Sequence, residues 1–288
     1  MVASSEACRP VQLMNWPAVM VLSVLAAGCA NAPLEQAGSL RSYDNLKPSD
    51  GLLTRSRIAV SRDEVLAAKT VRIMPTAFQV PGERAPFNAA QRSLVTNAVD
   101  RTLCAGLSAR FEVVGPSEPA DLIVHAVITH AAPTDPVAVG LSKGASVAKT
   151  VLRPGVPVPV PRIPIGLGSL SLEAEARDPL GDQKAAMIWG RGANALVESG
   201  RIAQEGDAYD LAGAFGDDFS KLLVTGATPF GTLPSSPSTE TLRALFGGAP
   251  KYPACAAFGT SPGLVGLIGG GIGLPPDWTD KGAATRVE

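Results

Sequence analysis

Four carboxylates between positions 173 and 182 form the densest chemistry-bearing group in the sequence. Glu173 and Glu175 lie two apart in the alternating run SLSLEAEAR, so on a strand they share a face. Asp178 and Asp182 follow in the turn. Paired carboxylates can act as general acid and base, or hold Ca²⁺. The competing reading is the solvated face of an antiparallel hairpin, and the strict polar/apolar alternation favours it. Asp217 and Asp218 read as an exposed helix face by the same logic. His125 and His130 are the only histidines. Five apart on an uninterrupted strand, they point to opposite faces. They therefore cannot share a metal, and nothing near either one builds a Ser-His-Asp or Cys-His site. Ser142 and Lys143 are adjacent in a Gly-rich segment, without the spacing of a Ser/Lys dyad. Residues 266–273, GLIGGGIG, have the glycines of a phosphate loop but no GK[ST], preceding strand or following helix. The expectation is a protein with no catalytic residue, no cofactor and no metal.

Cysteine carries the sharper signal. The four cysteines are Cys8, Cys29, Cys104 and Cys255. Cys29 closes the apolar stretch AVMVLSVLAAGC at residues 18–29. About a dozen uncharged residues are too few for a bilayer span of roughly 20, and match a signal-peptide core. The small residues Ala26, Ala27 and Gly28 before Cys29 resemble the lipobox of bacterial lipoproteins, with Ala26 where leucine is usual. That resemblance implies cleavage after Gly28 and acylation of Cys29, including palmitate. More than one acyl chain holds a protein stably on a membrane. Ala30, rather than aspartate, implies sorting to the outer membrane, with the body in the periplasm. The leader is weakly basic, carrying Arg9 against Glu6, and Met14 offers an alternative start. Cys8 leaves with the leader, so Cys104 and Cys255 remain in a compartment that permits disulfides. A bridge between them is the simplest arithmetic; two unpaired thiols are the alternative.

The elements that would position these residues follow from periodicity. Residues 29–63 read as a lipidated tether, with one or two helical turns from Arg62. Residues 70–78 read as a strand in which Pro75 marks an edge or bulge. Asn88 with Gln91 forms a capping box for a helix over 88–109. Its buried arc is Leu94, Val95, Ala98, Val99 and Thr102; Asp100, Arg101, Cys104 and Ser108 fall outside it. Strands follow at 111–114 and 121–130. Residues 133–168 form an insertion: a loose helix over 137–152, then a proline-dense stretch suited to polyproline II. Its aliphatics Val156, Val158, Val160, Ile163 and Ile165, like the apolar tail 263–275, either cover the body or meet a partner or membrane. Residues 169–177 are the clearest strand, joined by the turn 178–182 to a partner over 184–195. Asp207 caps a second helix with the stripe Leu211, Phe215, Phe219, Leu222 and Leu223. A short helix spans 238–246, and the rest is a Gly-rich tail.

This order predicts an α+β fold: a two-layer sandwich of about five mostly antiparallel strands, with two main helices on one face and irregular Gly/Pro-rich extensions. The divisions are a signal peptide (1–28), lipidated N-terminus and tether (29–63), α+β body (64–226) and linker with tail (227–288). Net charge is −1 and is unchanged by loss of the leader, which gives no electrostatic field for nucleic acid.

Several stretches together resemble a family of bacterial outer-membrane lipoproteins known only as a domain of unknown function, of the DUF3313 type. They are the lipobox, SYDNLKPSDGLL (42–53), KTVRIMPTAF (69–78), VPVPRIPIGLGSLSLEAEARD (158–178) and LPPDWTDKGA (274–283). The resemblance covers nearly all of the mature chain and carries no activity. The expected function is a non-enzymatic binding or envelope-assembly module, held in the outer membrane through acylated Cys29 and serving an envelope protein partner. The alternative is an envelope hydrolase built on Glu173 and Glu175.

Overall fold

The computed structural model describes residues 32–34, 36–79, 86–152, 162–195, 198–231, 238–280 and 282. The expected signal peptide and Cys29 lie outside them, as do Val156, Val158 and Val160. The strands are β1 (Lys47–Pro48), β2 (Thr54–Val60), β3 (Thr70–Ile73), β4 (Ala77–Phe78), β5 (Glu112–Val113), β6 (Leu122–Ala132), β7 (Ser169–Arg177) and β8 (Gln183–Gly192). The helices are α1 (Arg62–Ala67), α2 (Ala89–Leu107), α3 (Pro136–Leu152), α4 (Gly206–Thr225), α5 (Thr239–Leu245), α6 (Gly263–Ile272) and α7 (Pro276–Thr279), with a 3₁₀ turn at Pro253–Phe258.

These strands form one mixed sheet of eight, ordered β1-β2-β8-β7-β6-β3-β5, with β4 also on β6. This corrects the expected sandwich of about five mostly antiparallel strands with two helices. Two differences are responsible. First, β3 and β4 pair parallel with β6, and β3 pairs parallel with β5. The chain passes through α2 between β3 and β5, and a helical crossover of this kind returns strands parallel. Second, residues expected in the tether belong to the sheet: β2 runs antiparallel along β8 from Thr54↔Arg191 to Val60↔Ala185. Its inward positions begin with Thr54 and Ser56, both buried, so no apolar alternation announced it.

On the helical face, Leu170, Leu172, Ala174 and Ala176 of β7 and Met187 and Trp189 of β8 meet Leu211, Phe215, Phe219, Leu222 and Leu223 of α4. Val95, Val99, Leu103 and Leu107 of α2 complete this core. Both halves of the Asn88–Gln91 capping box are present. Asp100 departs from its expected exposure. Pro75 interrupts β3 and β4, and Asp100, buried on α2, accepts from the Thr76 N–H (3.0 Å) and hydroxyl (2.5 Å). The broken ladder thus recovers an acceptor for its unpaired N–H. Asp207 does not cap α4, whose N-cap is Glu205 without a side-chain bond; Asp207 has a different partner, described below.

The opposite face is covered by the chain itself. Residues 32–34 and 36–46 run across β7 and β8 as a strap. Leu40 buries Ala186 and Ile188, with Leu34, Tyr43 and Leu46 packed around them.

Candidate functional site

Glu173 and Glu175 lie on the strap side of β7, only 0 % and 1 % exposed. They neither splay into solvent nor line a pocket. The Ala37 N–H donates to Glu173 Oε1 at 2.7 Å. The Ser39 N–H (3.0 Å), Ser39 hydroxyl (2.5 Å) and Tyr43 hydroxyl (2.7 Å) all donate to Oε2. Gly38, at φ +83°, lets the chain turn so that N–H groups on either side of it face one carboxylate, an arrangement suited to an anion. Glu175 accepts from the Arg41 N–H at 2.8 Å and pairs with the Arg177 guanidinium. Further along, Gln183 accepts from Ser42 N–H (3.1 Å) and donates to its carbonyl (3.0 Å). Burial, then the bond donated to Glu173, raises the Tyr43 hydroxyl pKa. The two glutamates are therefore a clamp on the strap. A pair for acid/base work would have to be open to a substrate, and these carboxylates are covered by the strap.

The other expected residues separate. Asp178 accepts from the Leu180 and Asp182 N–H groups and pairs with Lys184, so it shapes the hairpin. Ser142 donates to the Ala138 carbonyl, while Lys143 Nζ reaches the Gly271 carbonyl at 2.7 Å. His125 opposes Glu175, and His130 opposes Ser171. Both partners sit on the strap face of β7, because the register shifts between Ile128 and His130. That bulge corrects the expectation of opposite faces. Three β7 residues still lie between the two partners, and no group of three or more His, Cys, Asp or Glu among the described residues is placed to hold a metal. Burial first, then Arg177, lowers the His125 pKa.

Connections through Cys104, Arg101 and Arg201 hold the C-terminal segment to the body, and Arg162 ties in the insertion. Cys104 and Cys255 are bridged, with Cα atoms 5.9 Å apart. Cys104, expected outside the buried arc, is instead part of the main core cluster together with Cys255 and Phe258 of the 3₁₀ turn, because that turn packs over its side of α2. Arg101 pairs with buried Asp280, which also accepts from the Tyr209 hydroxyl at 2.7 Å. Arg201 binds Asp210 (2.9 Å) and the Gly266 carbonyl (3.2 Å). Within the body, Arg162 grips Asp207 through two bonds of 2.8 and 3.1 Å, both side chains being buried. Gly200, at φ +64°, makes room for that guanidinium, whose central carbon lies 2.5 Å from where a Cβ would be. The Cys104–Cys255 bridge is the one expected from the sequence; the ion pairs were not legible, since their partners are 9 to 179 residues apart.

Between α2, α4, α5 and α6 lies a cleft of about 340 Å³ lined by Arg101, Thr102, Arg201, Asp210, Asp217 and Leu242, among others. Asp217 is reached by solvent there, yet its surroundings raise its pKa to about 6, through burial first and then Asp218. Asp218 accepts from the Trp189 indole at 2.8 Å. The cleft's basic residues are already paired with carboxylates.

The most unusual surface belongs to α6. Gly263, Gly266, Gly269 and Gly270 are buried against the body, and Leu264, Val265, Leu267, Ile268 and Ile272 face outward. At 100° per residue the outward set spans about 160°. The segment read as a Gly-rich tail is thus a helix with its aliphatic side exposed. Each interior glycine costs about 1 kcal/mol of helix propensity, and close packing of the glycine side offsets it.

The fold and its clamps define a mixed-sheet domain with an N-terminal strap and a pinned C-terminal extension. The profile of the family described as "Protein of unknown function (DUF3313)" matches residues 35–219, and the chain belongs to that family. No curated protein matches it. Among solved structures, it is similar to the PelC dodecamer from Paraburkholderia phytofirmans at 11 % identity, over 60 % of this chain and 98 % of that one, with a TM-score of 0.34. The L103M form of that dodecamer gives 12 % identity over the same shares and a TM-score of 0.32. A DUF4136 family protein from Bacteroides thetaiotaomicron gives 9 % identity over 62 % of this chain and all of that one, with a TM-score of 0.32. Likeness at these scores carries no argument.

Proposed function

We propose that this protein is a lipid-anchored module of the bacterial envelope. It is attached to the outer membrane through acylated Cys29, faces the periplasm, and serves as a binding or assembly element rather than an enzyme. The observation that carries the reading is the strap clamp. The chain just after the proposed attachment residue is bound to the body by five bonds to Glu173 and Glu175. A body clamped this close to its anchor is held in a defined attitude to the membrane, which suits presentation of a surface. What favours this reading over the hydrolase alternative is that the two candidate carboxylates of that alternative are the groups that hold the strap.

Crosslinking in intact envelopes tests this. The anchored chain should yield a discrete adduct with an envelope protein, and a Cys29→Ser chain should not. Turnover of an envelope polymer by the purified protein, abolished by Glu173→Gln while the fold survives, would contradict the reading.

A further inference from the structure

We infer that the exposed aliphatic face of α6 docks on the lipid surface to which the chain is anchored. The inference rests on the anchor reading above and adds a second point of contact.

Residues 252–276 contain no charged residue. Within them, Val265 is 66 % and Ile268 63 % exposed, and Trp278 on the following α7 is 69 % exposed. Neighbouring elements extend the apolar character. Lys143 of α3 reaches the Gly271 carbonyl, and Val137 and Leu141 of that helix are exposed. The Ile163 N–H donates to Ser142, and Ile165 beyond it is exposed. Exposed apolar surface of this extent marks a contact site.

The stretch Pro253–Ile272 is apolar enough in composition to count as a membrane span, but the structure forbids that use. Cys255 is tied to α2, the 3₁₀ turn ends at Gly259, and α6 itself is ten residues long. Ten residues give about 15 Å of helix against a hydrocarbon core of about 30 Å. Such a helix lies in the interface, its outward face among the acyl chains.

The position of the anchor selects lipid as the occupant. Cys29 precedes buried Ala32 by three residues, at most about 11 Å of extended chain. The Ala32 Cβ and the Pro33 carbonyl lie 3.4 and 3.2 Å from where a Cβ on Gly190 would sit. Gly190 is near the end of β8, and the chain following β8 supplies the residues that hold α6. Ser199 donates to the Gly270 carbonyl (3.1 Å), Arg201 to that of Gly266, and the Ile202 N–H to that of Gly273 (2.8 Å). An acyl chain on Cys29 therefore enters the bilayer at the end of the sheet that carries α6.

The test uses the full chain purified from envelopes and reconstituted in phosphatidylethanolamine/phosphatidylglycerol vesicles containing brominated acyl chains. A Trp16→Phe, Val265→Trp, Trp278→Phe variant places the reporter on the exposed face; buried Trp189 supplies a constant background. The greater part of the reporter emission should be quenched, and adding Leu267→Asp and Ile268→Asp, both at exposed positions, should remove the quenching. The mass of the N-terminal peptide reports the acylated cysteine independently. An acylated protein that floats with the vesicles but shows no quenching would overturn the docking and leave the anchor standing. Quenching without acylation would uphold the docking and overturn the anchor. A reporter already blue-shifted without lipid, in a protein that sediments as a dimer, would assign the face to a second copy and overturn the proposal.

Discussion

Replacing Glu173 by glutamine isolates the clamp with almost no change of shape. The carboxylate is fully buried and accepts one bond at Oε1 and three at Oε2. An amide offers one accepting oxygen. If that oxygen keeps the Oε2 position, the Ala37 N–H faces an NH₂ group. If it takes the Oε1 position, the Ser39 N–H loses its acceptor and the two hydroxyls must turn. Either way one part-buried backbone N–H loses its bond to a charged acceptor, at about 1.5–3 kcal/mol, and the remaining bonds lose their charge assistance. The expected loss is about 2–4 kcal/mol, confined first to the strap, since the helical core touches the other face of the sheet. Urea unfolding should show the lowered stability. Hydrogen exchange at Ala37 and Ser39 should accelerate before the β7 and β8 amides respond. Glu175→Gln should cost less at the strap, because Arg41 supplies the one strap bond there. A Glu173→Gln protein within about 0.5 kcal/mol of the parent, the usual range of surface changes, with its strap amides still protected, would refute the clamp.

Other expectations concern the links that hold the extensions. Reducing the Cys104–Cys255 bridge, or replacing both cysteines with serine, should lower stability by about 2–4 kcal/mol; the separation of 151 residues gives a chain-entropy ceiling of about 5 kcal/mol, and thermal unfolding with and without reductant measures it. Arg162→Met should cost about 3–5 kcal/mol by leaving the Asp207 charge buried without its counter-ion, and adding Asp207→Leu should recover only part of that loss in a double-mutant cycle, because the Gly168 N–H then loses its acceptor. Asp217 titrates at about 6 in the folded chain, above its ordinary value. Between about pH 4 and 6 the folded state therefore holds a proton that the unfolded state has released, and stability falls as pH rises through that window. Asp217→Asn should flatten that part of the pH–stability profile and stabilise slightly above pH 6, solvent in the cleft keeping the gain small.

The sequence was readable where one face of an element met one environment. The capping box at Asn88, the alternation in β7 and the stripe of α4 each carried a local signal, and the helix or strand lies where that signal put it. Legibility ended where a distant partner changed the meaning of a residue. Glu173 and Glu175 occupy the polar positions of an alternating strand, and without the strap that pattern means solvent. The strap gives no sign of its course, because its main contribution is backbone N–H groups, which every residue type carries. Strand β2 was hidden by Thr54 and Ser56 at buried positions. Helix α6 was hidden by glycines whose propensity argues against a helix and whose lack of side chain lets it pack. The bulge that brings His125 and His130 to one face leaves no local composition to read.

The central claim is that Cys29 carries lipid. Cells expressing the protein and grown with labelled palmitate decide it directly. The account predicts label on a chain that begins at Cys29, and no label on the Cys29→Ser chain. An unlabelled chain that still begins at Met1 or Met14 would contradict it.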